Sequence, residues 1–274
     1  MDMITKNERA LLYLLSRTSH LTRMKLVKMM FLISKEQSLY DFVPYQYGPF
    51  SFKLYQDLRH LEREGHLTQV DDEVKYCDRI FPQPDSFIRT AIDSCIDRFG
   101  SCHEKDLIDY VYRAHPEMTI FSTIKRLEKY NRDETGIVTI GYEGRNIDRF
   151  LSLLIENKVG KLIDVRKNPF SMKYGFSKNQ LSGALEKLGI SYLHFPDLGI
   201  DSSKRQNLTN AGYTSLFLHY AQELEEKQDH LARIISLSKI EKVALMCFEA
   251  QASDCHRGVI AQRFRDEGLC VTDL

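Results

Sequence analysis

The stretch that decides the fold of this chain is VALMCFE at residues 243–249, followed by DCHR at residues 254–257. An apolar run that ends on Cys247 and Glu249 predicts a buried strand whose carboxyl end carries reactive side chains. The DCHR segment then predicts a helix in which Asp254 is the N-cap and the next three residues form the first turn. Because ligands of open α/β sheets bind beyond the carboxyl ends of the strands, a functional site is expected here.

On both sides of this stretch, short apolar runs alternate with amphipathic segments from residue 137 onward. The pattern predicts parallel βαβ units, so residues 137–274 are expected to form a doubly wound α/β domain. Strands are predicted at Ile137–Gly141, Lys161–Val165, Ser191–His194, Lys242–Cys247 and Cys270–Asp273. Helices are predicted at Ile147–Asn157, Lys178–Leu188, Thr214–Leu237 (with a break) and Cys255–Glu267.

Residues 1–132 follow a different pattern and predict a mainly helical domain that precedes the α/β domain. The apolar period predicts helices and a hairpin in the order Asn7–Arg17, Leu21–Glu36, Ser51–Glu64 and Leu67–Tyr76. This is the element order of a winged helix, whose third helix contacts nucleic acid. Further helices are predicted at Lys105–Ala114 and Ser122–Tyr130.

Four polar residues on the third helix could contact phosphates or base edges: Lys53, Gln56, Arg59 and Arg63. The same side chains could instead form the solvated face of a protein-docking module. The N-terminal domain therefore predicts either a nucleic-acid interface or a docking surface.

In a parallel sheet, the residues that end each strand meet at one rim, and the residue types found there suit distinct roles. Arginines hold anionic oxygens, carboxylates transfer protons, and a thiolate beside an imidazole can act as a nucleophile. The candidate catalytic residues are Cys247, Glu249, Asp164, His256 and Cys255. The candidate substrate-binding residues are Arg166, Arg257, Gly141, Tyr142, Glu143, Gly144, His194 and Lys173.

Some of these residues are also of the types that bind metal ions. Cys247, Cys255 and His256 offer soft ligands, but Cys-x7-Cys-His is not a standard structural spacing. Adjacent Cys and His side chains rarely point at one ion. The sequence therefore predicts no metal ligands and leaves the cofactor open.

Composition narrows the class of protein. Lys and Arg together number 38, as do Asp and Glu, and this balance argues against a general polyanion binder. No apolar run is long enough to span a bilayer, and the first residues lack the apolar core of a signal peptide. The six scattered cysteines favour reduced thiols over a disulfide framework. A cytoplasmic protein without a membrane partner is expected.

Several motifs of the C-terminal half occur in an order that resembles the family catalogued as domain of unknown function 488. They are TIGYEG (139–144), LIDVRKNP (162–169), GFSK (175–178), GISYLHFPDLG (189–199), and Cys247, Glu249 and CHR (255–257). The resemblance implies an α/β domain with its site at these motifs. It also implies a setting near nucleic-acid and phage-defence functions.

The function predicted from these features is an enzyme of DNA processing or defence that acts on a nucleotide or nucleic acid, with an anion-binding pocket at the sheet rim. The alternative is a DNA-binding regulator whose α/β domain senses a small anionic ligand without turning it over. A third possibility is a redox switch between Cys247 and Cys255. The expected partners are nucleic acid, a small anionic or nucleotide ligand, and a second copy of the chain.

Overall fold

The computed structural model describes residues 4–205 and 209–274, which divide into two compact units, Met1–Tyr130 and Asn131–Leu274. The first three residues of the predicted N-terminal domain lie outside the described residues. Within the described part, no helix is both long and apolar enough to cross a membrane. All six cysteines fall in the described part and are free thiols.

The first unit is mainly helical. Its helices are α1 (Lys6–Thr18), α2 (Arg23–Gln37), α3 (Phe52–Arg63), α4 (Ser86–Phe99) and α5 (Glu104–Ala114). Its strands are β1 (His20–Thr22), β2 (Val43–Tyr45), β3 (Gly48–Phe50), β4 (Leu67–Val70) and β5 (Glu73–Tyr76). Strands β1, β5 and β4 form an antiparallel sheet in that order, and β2 pairs with β3.

Apolar side chains at helical spacing hold the first unit together. Leu11, Leu15, Leu26 and Phe31 are almost fully buried in one cluster to which α1, α2 and α3 contribute. Each of these three helices begins at a Thr or Ser whose hydroxyl accepts a backbone N–H of the first turn. The helices predicted up to Ala114 and the hairpin are present, whereas the short strands β1, β2 and β3 were not predicted.

The helix predicted at Ser122–Tyr130 is wrong, because these residues form turns and extended chain. The Ser122 hydroxyl accepts the backbone N–H of Ile124, and the Thr119 hydroxyl accepts that of Leu127. Hydroxyl groups thus take the N–H groups that a helix would bond to its own carbonyls.

The second unit alternates strands with helices. Its strands are β6 (Gly136–Gly141), β7 (Lys161–Asp164), β8 (Ser191–His194), β9 (Lys242–Cys247) and β10 (Val271–Asp273). Its helices are α6 (Ile147–Glu156), α7 (Lys178–Lys187), α8 (Asn210–Glu223), α9 (Gln228–Ser238) and α10 (His256–Asp266). The long helix predicted at Thr214–Leu237 is broken, as expected, by a 3₁₀ turn at Leu224–Lys227.

The five strands form one parallel sheet in the order β10-β6-β9-β7-β8. Ile163, Val243 and Leu245 face a core that includes residues of α8, α9 and α10. The alternate strand residues, such as Leu162 and Met246, are buried as well, so both faces of the sheet are covered. The C-terminal unit is the doubly wound α/β domain that the sequence predicts.

A close backbone approach shapes the rim where β6 and β9 end. The backbone N–H groups of Tyr142 and Glu143 both donate to the carbonyl of Phe248, at 3.1 and 2.8 Å. A Cβ on Gly141 would lie 1.9 Å from the carbonyl oxygen of Glu249. The loop after β9 therefore requires glycine at position 141.

Replacing Gly141 with alanine should displace the loop after β9 and destabilise the C-terminal domain. We expect a loss of more than about 2 kcal/mol in unfolding free energy, because a backbone carbonyl cannot move aside as a side chain can. Chemical denaturation followed by circular dichroism measures this loss. Gly183→Ala is the control, since no atom beyond its chain neighbours and its own helix backbone lies within 4 Å of its added Cβ, and alanine favours α7. Equal stability of the two variants would contradict the close approach.

Candidate active site at the sheet rim

The parallel register aligns the strand ends that carry the candidate residues. Gly141 pairs with Cys247 across β6 and β9, and Asp164 pairs with Met246 and with His194 across its two neighbours. Because all four strands run in the same direction, their carboxyl ends form one edge. The structure therefore brings the residues that end four predicted strands together at one rim.

Asp164 and Arg166 form a buried, bidentate ion pair in the middle of this rim. Arg166 Nε donates to Asp164 Oδ1 at 2.9 Å, and Nη2 donates to Oδ2 at 2.6 Å. Asp164 also accepts the hydroxyl of Tyr192 at 2.6 Å, and Arg166 Nη1 donates to the hydroxyl of Tyr142 at 3.0 Å. Asp164 is fully buried and Arg166 is 6% exposed.

The electrostatics of this network keep Arg166 charged. Burial disfavours the charged guanidinium, but the hydrogen bonds and charge of Asp164 outweigh burial and raise the pKa of Arg166. Burial and the same carboxylate raise the pKa of Tyr192, which therefore stays a neutral donor. The carboxylate of Asp164 largely compensates the charge of Arg166. Arg166 would therefore orient a ligand more than attract it electrostatically.

The cysteines and the histidine form a second cluster beside this pair. Cys247 ends β9 and is 1% exposed, Cys255 is 2% exposed, and His256 is 2% exposed. The Sγ atoms of both cysteines lie 3.8 Å from Nδ1 of His256. The predicted cluster is therefore formed, and it is buried.

Asp254 is not the N-cap of α10, contrary to the sequence prediction. Residues 252–254 form a 3₁₀ turn, and Cys255 is the N-cap in extended conformation, with φ −139° and ψ 144°. His256 is the first helical residue. Cys255 therefore lies outside the helix and His256 inside it. This change of backbone conformation explains how the side chains of two adjacent residues can approach Cys247 together.

A backbone carbonyl sets the orientation of the His256 ring. Nε2 lies 2.9 Å from the carbonyl oxygen of Val165, and a carbonyl can only accept, so Nε2 carries a proton. In the neutral ring, Nδ1 then carries the lone pair, and Sγ of Cys247 lies beside the ring, 3.8 Å from Nδ1 and 4.0 Å from Nε2. The ring is fixed in the tautomer that can receive a proton or a cation from the side of the cysteines.

The two thiols are electrostatically different. Burial opposes ionisation of Cys255, but the hydrogen bond with the Cys247 thiol and the neighbouring His256 ring outweigh burial and lower the pKa of Cys255 to about 6. The hydrogen bond to Cys255, together with burial, raises the pKa of Cys247. One proton is therefore held on Cys247, and the pair carries one negative charge near neutral pH.

Arg257 holds the loop after β9. It is 1% exposed, and its guanidinium donates to the carbonyl oxygens of Glu249 at 2.5 Å and Ala250 at 2.8 Å. Glu143, on the facing turn, accepts the backbone N–H of Ala250 at 2.9 Å. Arg257 thus positions the loop that follows Cys247 and carries Glu249.

The other candidate residues stabilise the turns of the rim. Lys173 Nζ donates to the carbonyl oxygen of Tyr142 at 2.9 Å, and burial lowers the pKa of Lys173. His194 Nε2 lies 2.8 Å from the carbonyl oxygen of Arg166. Gly144 has φ +72°, a conformation that glycine adopts without strain.

A cavity of about 360 Å³ opens at this rim. Its volume lies within the range of small-molecule sites. Cys247, His256, Arg166 and Tyr142 line it, and sequence reasoning did not select the other residues of its wall: Lys167, Asn168, Phe170, Ile200, Asp201 and Phe248. Lys167 and Asn168 directly follow Arg166 in sequence, so the strand-end argument could have included them.

The four candidate nucleic-acid residues all lie on α3. Lys53 pairs with Asp57 at 2.6 Å on the same helix, and Arg63 lies 3.8 Å from Glu64 with its side chain 72% exposed. Arg59 is exposed and Gln56 is half-buried. These placements leave nucleic-acid contact a prediction.

The fold and the rim define a doubly wound α/β domain with a cavity lined by cysteine, histidine and arginine. Residues 146–264 match the family described as Domain of unknown function DUF488. This match lies within the C-terminal unit and confirms the resemblance seen in the motifs. Comparisons with curated proteins and with solved structures gave no significant match.

Asp164→Asn should strongly destabilise the domain, because it leaves the buried charge of Arg166 without a carboxylate. Breaking one partner of a buried pair typically costs about 3–5 kcal/mol. Urea denaturation of the full chain measures the change. Glu156→Gln removes the partner of the exposed pair with Arg149 and should cost no more than about 1 kcal/mol. A similar small loss for Asp164→Asn would show that the ion pair does not hold the rim together.

Proposed function

We propose that the C-terminal domain is an enzyme that binds a nucleotide, or a nucleotide unit of a nucleic acid, in the cavity at the sheet rim. The observation that carries the proposal is the composition of the cavity wall, which joins Lys167 and Arg166 to the buried Cys247 and His256. Binding groups and chemically reactive groups thus face the same space.

Aromatic side chains at the cavity support a ligand with a flat ring. Tyr142, Phe170 and Phe248 all line the wall. Phe170 is 65% exposed and Phe248 is 42% exposed, which is high for large apolar side chains. Base stacking on an aromatic face contributes about 1–3 kcal/mol and tolerates any base.

The charges of the cavity support a ligand with few phosphates. Asp164 compensates Arg166, which leaves Lys167 as the wall's other cation. Asp201, also in the wall, is anionic, because hydrogen bonds from Ser203 lower its pKa. Such a balance suits a monophosphate or a phosphodiester better than a triphosphate.

The N-terminal unit would deliver nucleic acid to this enzyme or recruit it to a site. Its order of elements, with α3 before the β4–β5 hairpin, supports the winged-helix interpretation. Arg59 and Arg63, both exposed, are the residues best placed on α3 to reach phosphates. DNA processing and defence remain the setting that we propose.

Native mass spectrometry of the full chain with a pool of nucleotides and short oligonucleotides tests the proposed function. We expect one bound nucleotide per chain and new products in the pool. Lys167→Ala should weaken binding about 10- to 100-fold, the loss typical of one charged hydrogen bond. Lys187→Ala, an exposed lysine on α7 outside the cavity wall, is the control and should bind normally.

The composition of the pool separates the enzyme from the regulator. A nucleotide that binds through Lys167 but leaves the pool unchanged would favour the ligand sensor and contradict an enzyme. Absence of binding to the wild-type protein, or equal binding by both lysine variants, would contradict the cavity as a nucleotide site.

Nucleic-acid binding by the N-terminal unit should depend on salt and on α3. We expect the double variant Arg59→Ala/Arg63→Ala to bind duplex DNA more weakly, because each arginine that neutralises a phosphate adds about 1 to the slope of log K against log salt concentration. The slope should therefore be shallower in the double variant. Fluorescence anisotropy at several salt concentrations measures both quantities. Lys105→Ala on α5 is the control, and an unchanged slope in the double variant would rule out α3 as the DNA-binding surface.

A further inference from the structure

Three ligand atoms converge at the inner end of the rim cavity. Cys247 Sγ, Cys255 Sγ and one ring nitrogen of His256 all lie within 4.8 Å of one another. Nδ1 of His256 is 3.8 Å from each sulfur. A nitrogen at the same distance from two sulfurs is compatible with one ion that all three atoms bind.

The distances match tetrahedral coordination. Zinc–sulfur bonds of about 2.3 Å and zinc–nitrogen bonds of about 2.0–2.1 Å, at a tetrahedral angle, place sulfur and nitrogen about 3.6 Å apart. The observed separations of 3.8 Å are close to this value. An ion bound to Nδ1 would require the Cys247 side chain to rotate toward that nitrogen, because its sulfur now lies 4.0 Å from Nε2 as well.

The orientation of His256 also fits a metal ligand. Histidines that bind metal usually donate their other ring N–H to a carbonyl or carboxylate, which fixes the ring. In this domain the carbonyl of Val165 receives Nε2–H at 2.9 Å, which leaves Nδ1 as the nitrogen that can bind an ion. The outer partner that a metal site needs is already in place.

The alternatives explain less of this geometry. A catalytic Cys–His pair needs one sulfur beside the ring, whereas both sulfurs lie at the same distance from Nδ1. A thiol nucleophile also needs access to substrate, yet Cys255, the thiol with the lowered pKa, is 2% exposed and is not part of the cavity wall. A redox pair of cysteines does not require the histidine.

We propose that Cys247, Cys255 and His256 bind a divalent transition-metal ion of the zinc class, with a fourth coordination position on the cavity side. Two thiolates and a neutral imidazole balance a dication, and soft thiolates select zinc over magnesium or calcium. Cys247 and His256 line the cavity, so water or a substrate atom can reach the fourth position. Three protein ligands with one open position are the pattern of catalytic zinc sites.

The metal would polarise whatever ligand binds beside Lys167, and that role alone rests on the proposed function. The existence of the metal site does not, because it follows from the three ligands themselves.

Cobalt substitution tests the site in the full chain, without a histidine tag. The reduced protein is stripped with a chelator and titrated with Co²⁺, and then with Zn²⁺ in competition with a chromogenic chelator. We expect one ion per chain and a thiolate-to-cobalt charge-transfer band with the visible bands of tetrahedral cobalt. Cys247→Ser and Cys255→Ser should each weaken zinc binding by more than the roughly 100-fold seen for loss of an outer-shell partner.

Cys270→Ser is the matched control, because Cys270 is a free and exposed cysteine of the same domain. Its affinity for zinc should equal that of the wild-type protein. Wild-type protein that binds no stoichiometric cobalt, or binds it without a thiolate band, would overturn the proposal, even if the serine variants fail to fold. Wild-type affinity in both Cys247→Ser and Cys255→Ser would overturn it too.

The metal site and the proposed function can fail separately. Cobalt bound through thiolates, in a protein that binds no nucleotide, would support the metal site and overturn the proposed function. Nucleotide turned over equally well by the metal-stripped protein would overturn the catalytic role of the metal.

Discussion

Parallel strand pairing is the constraint on which the site depends. Because β6, β9, β7 and β8 run in one direction, the chain after each strand must turn at the same edge of the sheet. Register then sets Gly141 beside Cys247 and Asp164 beside His194. The first pair allows the loop after β9 to pack tightly, and the second places His194 beside the chain after β7, where its Nε2 lies 2.8 Å from the carbonyl oxygen of Arg166. The positions of the strand-end residues at the rim follow from this alignment.

Two backbone carbonyls at the rim orient side chains of α10. The carbonyl of Val165 fixes the ring of His256, and the carbonyl of Glu249 is held by Arg257. Both contacts join α10 to segments that directly follow neighbouring strands. The reactive side chains are therefore oriented by rigid main-chain elements, which is what a preorganised site requires. Arg166, in turn, is held by Asp164 and stabilises the rim from within.

The sequence predicts the strands and most helices well, because apolar runs and their periods report burial directly. It also predicts which residues reach the rim, since the strand ends follow from the parallel pattern. It does not predict the hydrogen-bond partners of these residues. Arg257, for example, donates to two backbone carbonyls that its position in the sequence does not indicate. The extended N-cap conformation of Cys255 is equally hidden, and with it the approach of three metal-type ligands. Ile200 and Asp201 come from a loop without periodicity, so their place in the cavity wall required the structure.

The proposed reactive centre of this domain is the inner end of the rim cavity. A crystal structure of the full chain grown with zinc, with anomalous data collected at the zinc edge, would show whether an ion binds there. We expect one strong anomalous peak about 2.3 Å from the sulfurs of Cys247 and Cys255 and about 2.0–2.1 Å from Nδ1 of His256, with a non-protein ligand on the cavity side. A peak elsewhere in the chain, or a disulfide between the two cysteines and no peak, would contradict it.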